Sequence, residues 1–113
     1  MSDDKPPASF LIGAQIRIAA REGIPMVIRR RGDESIGAII LKINRLDGTA
    51  HILTQVRMDD ELMWSPVSRT DPMPEADAER YLEKQAKIDP DSWLVEIEDR
   101  QGRHWFPGRI VKF

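Results

Sequence analysis

The sequence contains no cysteine, few aromatic residues and no long apolar run. Without cysteine, disulfide bonds, thiolate nucleophiles and cysteine-ligated zinc are excluded. Aromatic residues make up 6% of the chain. No segment approaches the roughly 20 apolar residues that a membrane-spanning helix needs. Residues 1–7 lack the cationic start and apolar core of a secretory signal, so we expect a cytoplasmic protein that does not enter a membrane.

The chain also lacks an excess of charge of either sign. Seventeen Lys and Arg residues face nineteen Asp and Glu residues, which leaves a formal net charge of -2. Its 113 residues suit one domain, and 41% hydrophobic residues suffice for one core. We therefore predict a disordered leader over residues 1–8, a single domain over residues 9–106, and a C-terminal tail or short strand over residues 107–113.

Hydrophobic periodicity and turn residues predict two helices and six strands. Ser9 is the predicted N-cap of the first helix, and Gly23 is its predicted end. The predicted strands cover residues 26–31, 37–45, 49–57, 62–67, 93–98 and 103–106, and the second helix lies between residues 71–74 and 89–91.

The central hairpin has the most specific local pattern. Asp47-Gly48 is a pair typical of a two-residue turn. A turn at these residues would pair Ile43 with Ile52 and Lys42 with Leu53. It would also place Lys42 and His51 on the same polar face of the sheet.

The element order α-β-β-β-β-α-β-β predicts an α+β fold. Tight hairpins favour a mainly antiparallel sheet, and two amphipathic helices can cover one of its faces. We therefore expect a two-layer sandwich with two helices on one face. The other face of the sheet would be exposed to solvent or to a partner.

Two blocks of the sequence resemble a family of short alphaproteobacterial proteins of unknown function. The first block covers residues 30–33 and 37–50, and the second covers residues 89–99 and 102–104. The resemblance extends over roughly residues 10–106. It implies a stand-alone domain without an established activity, and it assigns no catalytic residue.

The sequence contains no motif that indicates catalysis or a cofactor. His51 and His104 do not form a closely spaced ligand pair, so we expect no metal site. No serine lies in a nucleophile-elbow context, and no glycine-rich loop could hold a phosphate. We therefore predict no catalytic residues and no cofactor.

The two halves of the chain differ in charge. Residues 1–57 contain nine Lys and Arg against six Asp and Glu, whereas residues 58–113 contain eight against thirteen. A cationic, hydrogen-bonding patch on the exposed sheet face would suit an anionic partner. Alternatively, the basic half pairs with the acidic half inside the fold. The candidate binding residues are Arg29, Arg30, Arg31, Lys42, Asn44, His51 and Arg57.

These observations favour a non-catalytic binding or regulatory module that recognises a protein partner or a small anionic ligand. A second hypothesis is an enzyme that acts on a small anionic metabolite with His51 as general acid or base. A third is a nucleic-acid-binding module that uses the basic strands. Pairing of an exposed edge strand would give a homodimer, so both monomer and homodimer stay open.

Overall fold

The computed structural model describes residues 6–111, which form two helices and one six-stranded sheet. Residues 1–5 of the predicted leader and residues 112–113 of the predicted tail lie outside the described residues. In chain order the elements are α1 (Ala8–Arg21), β1 (Met26–Arg30), β2 (Ile39–Asn44), β3 (Thr49–Met58), β4 (Glu61–Pro66), β5 (Met73–Pro74), α2 (Glu75–Ile88) and β6 (Trp93–Glu98).

The sheet order is β1-β6-β2-β3-β4, and β5 pairs with β3. The strand pairs are antiparallel except for the parallel pair β2 and β6. The predicted α+β class and mainly antiparallel sheet are therefore confirmed.

The two helices cover opposite faces of the sheet, so the prediction that both lie on one face was wrong. Ile12 of α1 belongs to a core cluster with Leu41 of β2. Leu82 of α2 belongs to a second cluster with Ile40. Because successive strand residues point to opposite faces, these two clusters lie on opposite sides of the sheet. The structure therefore has three layers, and the central sheet has no bare face.

The register of the central hairpin differs from the prediction by one residue. Arg45 N–H donates to Thr49 O at 3.0 Å, which leaves a three-residue loop, residues 46–48, instead of a two-residue turn. Ile43 consequently pairs with His51, and Lys42 pairs with Ile52. A slip of one residue turns every side chain of a strand to the other face. Lys42 and His51 therefore lie on opposite faces of the sheet.

The start of α1 is capped by a distant glutamate rather than by Ser9. The helix begins at Ala8, and Pro7 occupies the N-cap position without a side-chain hydrogen bond. Ser9 N–H donates to Glu34 Oε1 at 2.9 Å, and Ala8 N–H donates to Glu34 O at 3.2 Å. These bonds satisfy amides that a helix leaves unpaired at its start. They also join α1 to the segment between β1 and β2.

Residues 103–106 form an irregular segment instead of the predicted strand. The buried carboxylate of Asp99 accepts hydrogen bonds from Gln101 N–H, Arg103 Nε and Trp105 Nε1, each at 2.8 Å. Trp105 has a φ of 68°, which is incompatible with an extended strand. Because one carboxylate binds three nearby donors, the chain coils around Asp99.

Further along, Ile110 forms an isolated parallel bridge with Trp64 on the outer edge of β4. No helix among residues 6–111 is long and apolar enough to cross a membrane.

Candidate functional site

Lys42 is buried under α2 and is neutralised by carboxylates. Its side chain is 1% exposed, and its Nζ donates to Glu75 and Glu79 and lies 3.3 Å from Glu96 Oε2. Burial alone would lower the pKa of Lys42, but the carboxylates outweigh it and raise that pKa. Arg29 donates to Glu79 and Glu96 at 2.9 and 3.1 Å. These two cations hold α2 on the sheet.

Arg30 binds the C-terminal end of α2. Its Nη1 donates to Ala86 O at 3.0 Å, and its Nη2 donates to Asp89 O and Ser92 O at 2.7 Å. Ala86 O belongs to the last turn of α2, where a helix leaves carbonyl groups without an intrahelical partner. Asp89 O also accepts from Ser92 N–H and Ser92 Oγ, so Arg30 joins a turn that is already hydrogen-bonded. A cleft of about 230 Å³ is lined by Arg29 and Arg30, but both guanidinium groups already bind acceptors of the protein.

Arg31 and Asn44 make local contacts. Arg31 Nη2 lies 3.5 Å from Glu34 Oε2, and its guanidinium carbon lies 5.2 Å from the ring centroid of Trp93. Asn44 Oδ1 accepts a hydrogen bond from Leu46 N–H at 2.8 Å within the hairpin loop. Asn44 therefore shapes the turn.

Both ring nitrogens of His51 have protein partners. Nδ1 lies 2.9 Å from Asp71 Oδ2, and Nε2 lies 3.1 Å from Arg45 Nη1. Because arginine can only donate, Nε2 is the acceptor and Nδ1 carries the proton donated to Asp71. Arg45 therefore occupies the ring nitrogen that would have to exchange a proton with a substrate. The arrangement does not favour a general acid or base at His51.

Arg57 and Arg30 are the predicted cations that form no salt bridge with a described residue. Arg30 is half-buried and donates to carbonyl groups inside the fold, whereas Arg57 is exposed. The one side-chain hydrogen bond of Arg57 within residues 6–111 is the 3.3 Å contact from Nη1 to Asp60 O. The seven predicted residues therefore do not form one surface, because α2 covers the face that carries Lys42. Among the predicted arginines and lysine, Arg57 is the one that is exposed and has no carboxylate partner in the described structure.

Arg57 lines a cleft of about 240 Å³ at the end of β3, which we call the β3 cleft. One side is the edge of β3 at residues 55–57, and the other is the segment 34–39 that leads into β2. Leu11 of α1 contributes apolar surface, and Ile36, which is 73% exposed, also lines the cleft.

Local hydrogen bonds and close packing hold the segment that forms this second side. Asp33 Oδ1 accepts hydrogen bonds from Ser35 N–H and Ile36 N–H, both at 2.9 Å. Both bonds lower the pKa of Asp33, so its carboxylate stays ionised near neutral pH. Gly37 lies so close to Asp91 O that any side chain at residue 37 would collide with it. The hydrogen bonds of Asp33 and the close packing of Gly37 therefore shape this side of the β3 cleft.

Sequence reasoning identified Arg57 but missed the other residues of the β3 cleft. Ile36 could have indicated a binding surface from the sequence alone, because it is a large apolar residue within a polar turn. Among residues 6–111, no group of three or more His, Asp or Glu side chains could hold a metal ion.

This architecture defines a small α+β protein with one sheet covered on both faces and an open cleft at the end of β3. A family model described as protein of unknown function, DUF1491, matches residues 7–107, and the chain belongs to this family. The resemblance to an alphaproteobacterial family is therefore confirmed. No curated protein matches the sequence.

Solved structures of similar proteins have the same fold. The crystal structure of a DUF1491 family protein from Caulobacter crescentus CB15 is 34% identical, covers 94% of this chain and 97% of its own, and has a TM-score of 0.80. The NMR structure of a DUF1491 family protein from the same organism is 36% identical, covers 94% and 96%, and has a TM-score of 0.79. A solution structure from A. tumefaciens is 19% identical, covers 93% and 95%, and shares the fold with a TM-score of 0.75.

Proposed function

We propose that this protein is a non-catalytic binding module that recognises an acidic segment of a partner protein in the β3 cleft. The observation that carries the proposal is the charge of Arg57, which is exposed in the cleft and forms no salt bridge with a described residue. A carboxylate is the natural partner of an unneutralised guanidinium group. The cytoplasmic location expected from the sequence is part of this proposal.

The size of the cleft favours a protein segment over a metabolite. Its volume of about 240 Å³ is below the roughly 300–1,000 Å³ of typical small-molecule pockets. A shallow cleft of this size can hold one or two side chains while the rest of a segment lies along the surface. The exposed Ile36 beside it offers apolar surface for such a side chain.

The carboxylate of Glu34, which also lines the cleft, is already occupied. The amide and hydroxyl of Ser9 lower the pKa of Glu34, so it is ionised near neutral pH. Its Oε1 accepts from Ser9 N–H, and its Oε2 lies 3.5 Å from Arg31. Because these contacts hold Glu34 at α1, it does not neutralise Arg57.

The test is a titration of the isotope-labelled protein with two tetrapeptides, followed by amide chemical shifts. One probe is acetyl-Val-Glu-Val-Glu-amide, and the other replaces both glutamates with lysine. We expect the acidic probe to shift amides of residues 34–38 and 55–58 and to bind more tightly than the basic probe. Arg57→Glu should weaken binding of the acidic probe about fivefold or more, because it removes an exposed ion pair worth up to about 1 kcal/mol and adds repulsion between like charges.

Arg100→Glu is the matched control, because Arg100 is exposed and forms no salt bridge with a described residue. It makes the same change in net charge in the turn after β6. The proposal is wrong if neither probe shifts the cleft amides. It is also wrong if Arg57→Glu and Arg100→Glu weaken binding equally, since the effect would then come from net charge alone.

A further inference from the structure

The edge of β3 that faces β2 is open beside Arg57. β3 continues to Met58, but the antiparallel ladder between β2 and β3 ends at the pair Ile40 and Thr54. Over residues 55–58, β3 pairs only with β4. An open strand edge presents backbone donors and acceptors that another chain can pair with.

The pairing of β4 shows which backbone groups face this open edge. Trp64 N–H donates to Arg109 O and Trp64 O accepts from Val111 N–H, so both groups point away from β3. Gln55, which lies opposite Trp64, therefore has its backbone groups directed away from β4. Because this direction alternates along a strand, the N–H and C=O of Arg57 also point away from β4 and into the β3 cleft.

In the described structure, the segment 34–38 on the opposite side of the cleft does not form hydrogen bonds with the backbone N–H and C=O of Arg57. Gly37 N–H donates to Asp33 O, and Ala38 O accepts from Trp93 N–H of β6. No backbone hydrogen bond among residues 6–111 joins Arg57 to the segment 34–38. At the inner end of the cleft, Gln55 Oε1 accepts from Ile39 N–H at 2.9 Å. The amide of Ile39, the first residue of β2, is thus already paired with the side chain of Gln55.

We infer that the acidic segment binds by strand addition, as an extended strand whose backbone pairs with the N–H and C=O of Arg57. This inference rests on the proposed function, and it specifies that the partner presents an extended peptide. Residues 55–58 offer an edge of four residues, about 13 Å at the usual rise of a strand. Backbone pairing supplies affinity, and side-chain contacts at alternate positions supply specificity. A carboxylate at one position would meet the Arg57 guanidinium, and an apolar side chain would pack against Ile36 and Leu11.

The test compares acetyl-Val-Glu-Val-Glu-amide with two backbone-methylated forms of it. One form carries N-methyl groups on both valines, and the other on both glutamates. A strand turns alternate amides to each edge, so methylation should weaken binding at least about fivefold in one form and leave the other close to the parent. Hydrogen exchange gives a second measurement, in which the parent probe should slow exchange of the Arg57 amide.

The outcomes separate this inference from the proposed function. If the parent probe binds at the cleft but neither form weakens it, or both weaken it equally, strand addition is wrong while acidic-segment binding stands. If the exchange rate of the Arg57 amide is unchanged in the saturated complex, strand addition is likewise wrong and acidic-segment binding stands. If the parent probe does not bind the cleft, both the inference and the proposed function are wrong.

Discussion

At the scale of single residues, Arg30 is the guanidinium with the most hydrogen bonds in the described structure. It donates to Ala86 O, Asp89 O, Ser92 O and Ser92 Oγ, at distances between 2.7 and 3.0 Å. Only a planar group with several fixed donors can reach these acceptors at once. Arg30 therefore ends α2 in the way that a C-cap residue ordinarily would, but from a distant strand.

We predict that Arg30→Lys lowers the free energy of unfolding by about 1–3 kcal/mol, although it conserves the charge. A lysine ammonium cannot span the carbonyls of Ala86, Asp89 and Ser92, so some of these partly buried acceptors lose their donors. Urea unfolding is the measurement, and Arg100→Lys on the exposed surface is the control, with an expected change within about 0.5 kcal/mol. Equal effects of the two variants would contradict this role of Arg30.

At the scale of secondary-structure elements, the hairpin shows where prediction from the sequence stopped. Residues 37–57 were correctly predicted to contain two strands, because alternation and an Asp-Gly pair are local signals. The loop has three residues instead of two, and Leu46 adopts a φ of 62° that its side chain disfavours. Nothing local to Leu46 signals this conformation, and the resulting register determines which face each side chain of β3 occupies.

The sequence of β2 contained a signal that the two helices cover opposite faces of the sheet. Its residues Ile39, Ile40, Leu41 and Ile43 form a nearly continuous apolar run, and five consecutive positions of the strand are buried. Such a run is typical of a strand covered on both faces, whereas a strand with one exposed face alternates. The prediction instead placed both amphipathic helices on one face of the sheet and Lys42 on the other, polar face. A buried lysine is rare unless carboxylates from another element reach it, and α2 supplies those carboxylates here.

We predict that Leu46→Gly is more stable than Leu46→Ala by about 1 kcal/mol. Both variants remove the same partly exposed side chain, but alanine keeps the Cβ atom that makes a φ of 62° unfavourable. The comparison therefore isolates the backbone conformation of the loop. Thermal and urea unfolding of the two variants measure the difference. An alanine variant as stable as the glycine variant would show that the loop has no strain at residue 46.

At the scale of the whole molecule, the nearly balanced charge is arranged across the layers. The basic strand residues Arg29 and Lys42 lie beneath the acidic residues Glu75 and Glu79 of α2. For these residues, the basic half of the chain pairs with the acidic half inside the fold, as the alternative interpretation of the sequence proposed. Arg57 lies where β3 extends past β2, beyond the reach of α2. That position depends on where two strands separate in space, so the candidate site was not predictable from composition or local pattern.

The internal charge pairs give the protein a specific dependence of stability on pH. The hydrogen-bonded Arg29 guanidinium and the Lys42 ammonium lower the pKa of Glu79 to about 2. Because the pKa is lower in the folded protein than the ordinary value of 4.5, the stabilisation is complete above pH 4.5 and is lost as the pH falls towards 2. The Glu79 side chain is 31% exposed, so solvent screening limits the contribution to about 1–2 kcal/mol.

We therefore predict that Glu79→Gln removes part of the acid sensitivity of the fold. Its free energy of unfolding should be lower than that of the unmodified protein at pH 6, and the difference should shrink by about 1 kcal/mol or more between pH 5 and pH 3. Urea unfolding at each pH measures both quantities. Glu83→Gln is the matched control, since Glu83 is exposed on the same helix and forms no salt bridge with a described residue. If the two variants show the same pH dependence, the cations beneath α2 do not stabilise the fold through Glu79, and its attachment to the sheet depends on the apolar contacts of Ala78 and Leu82.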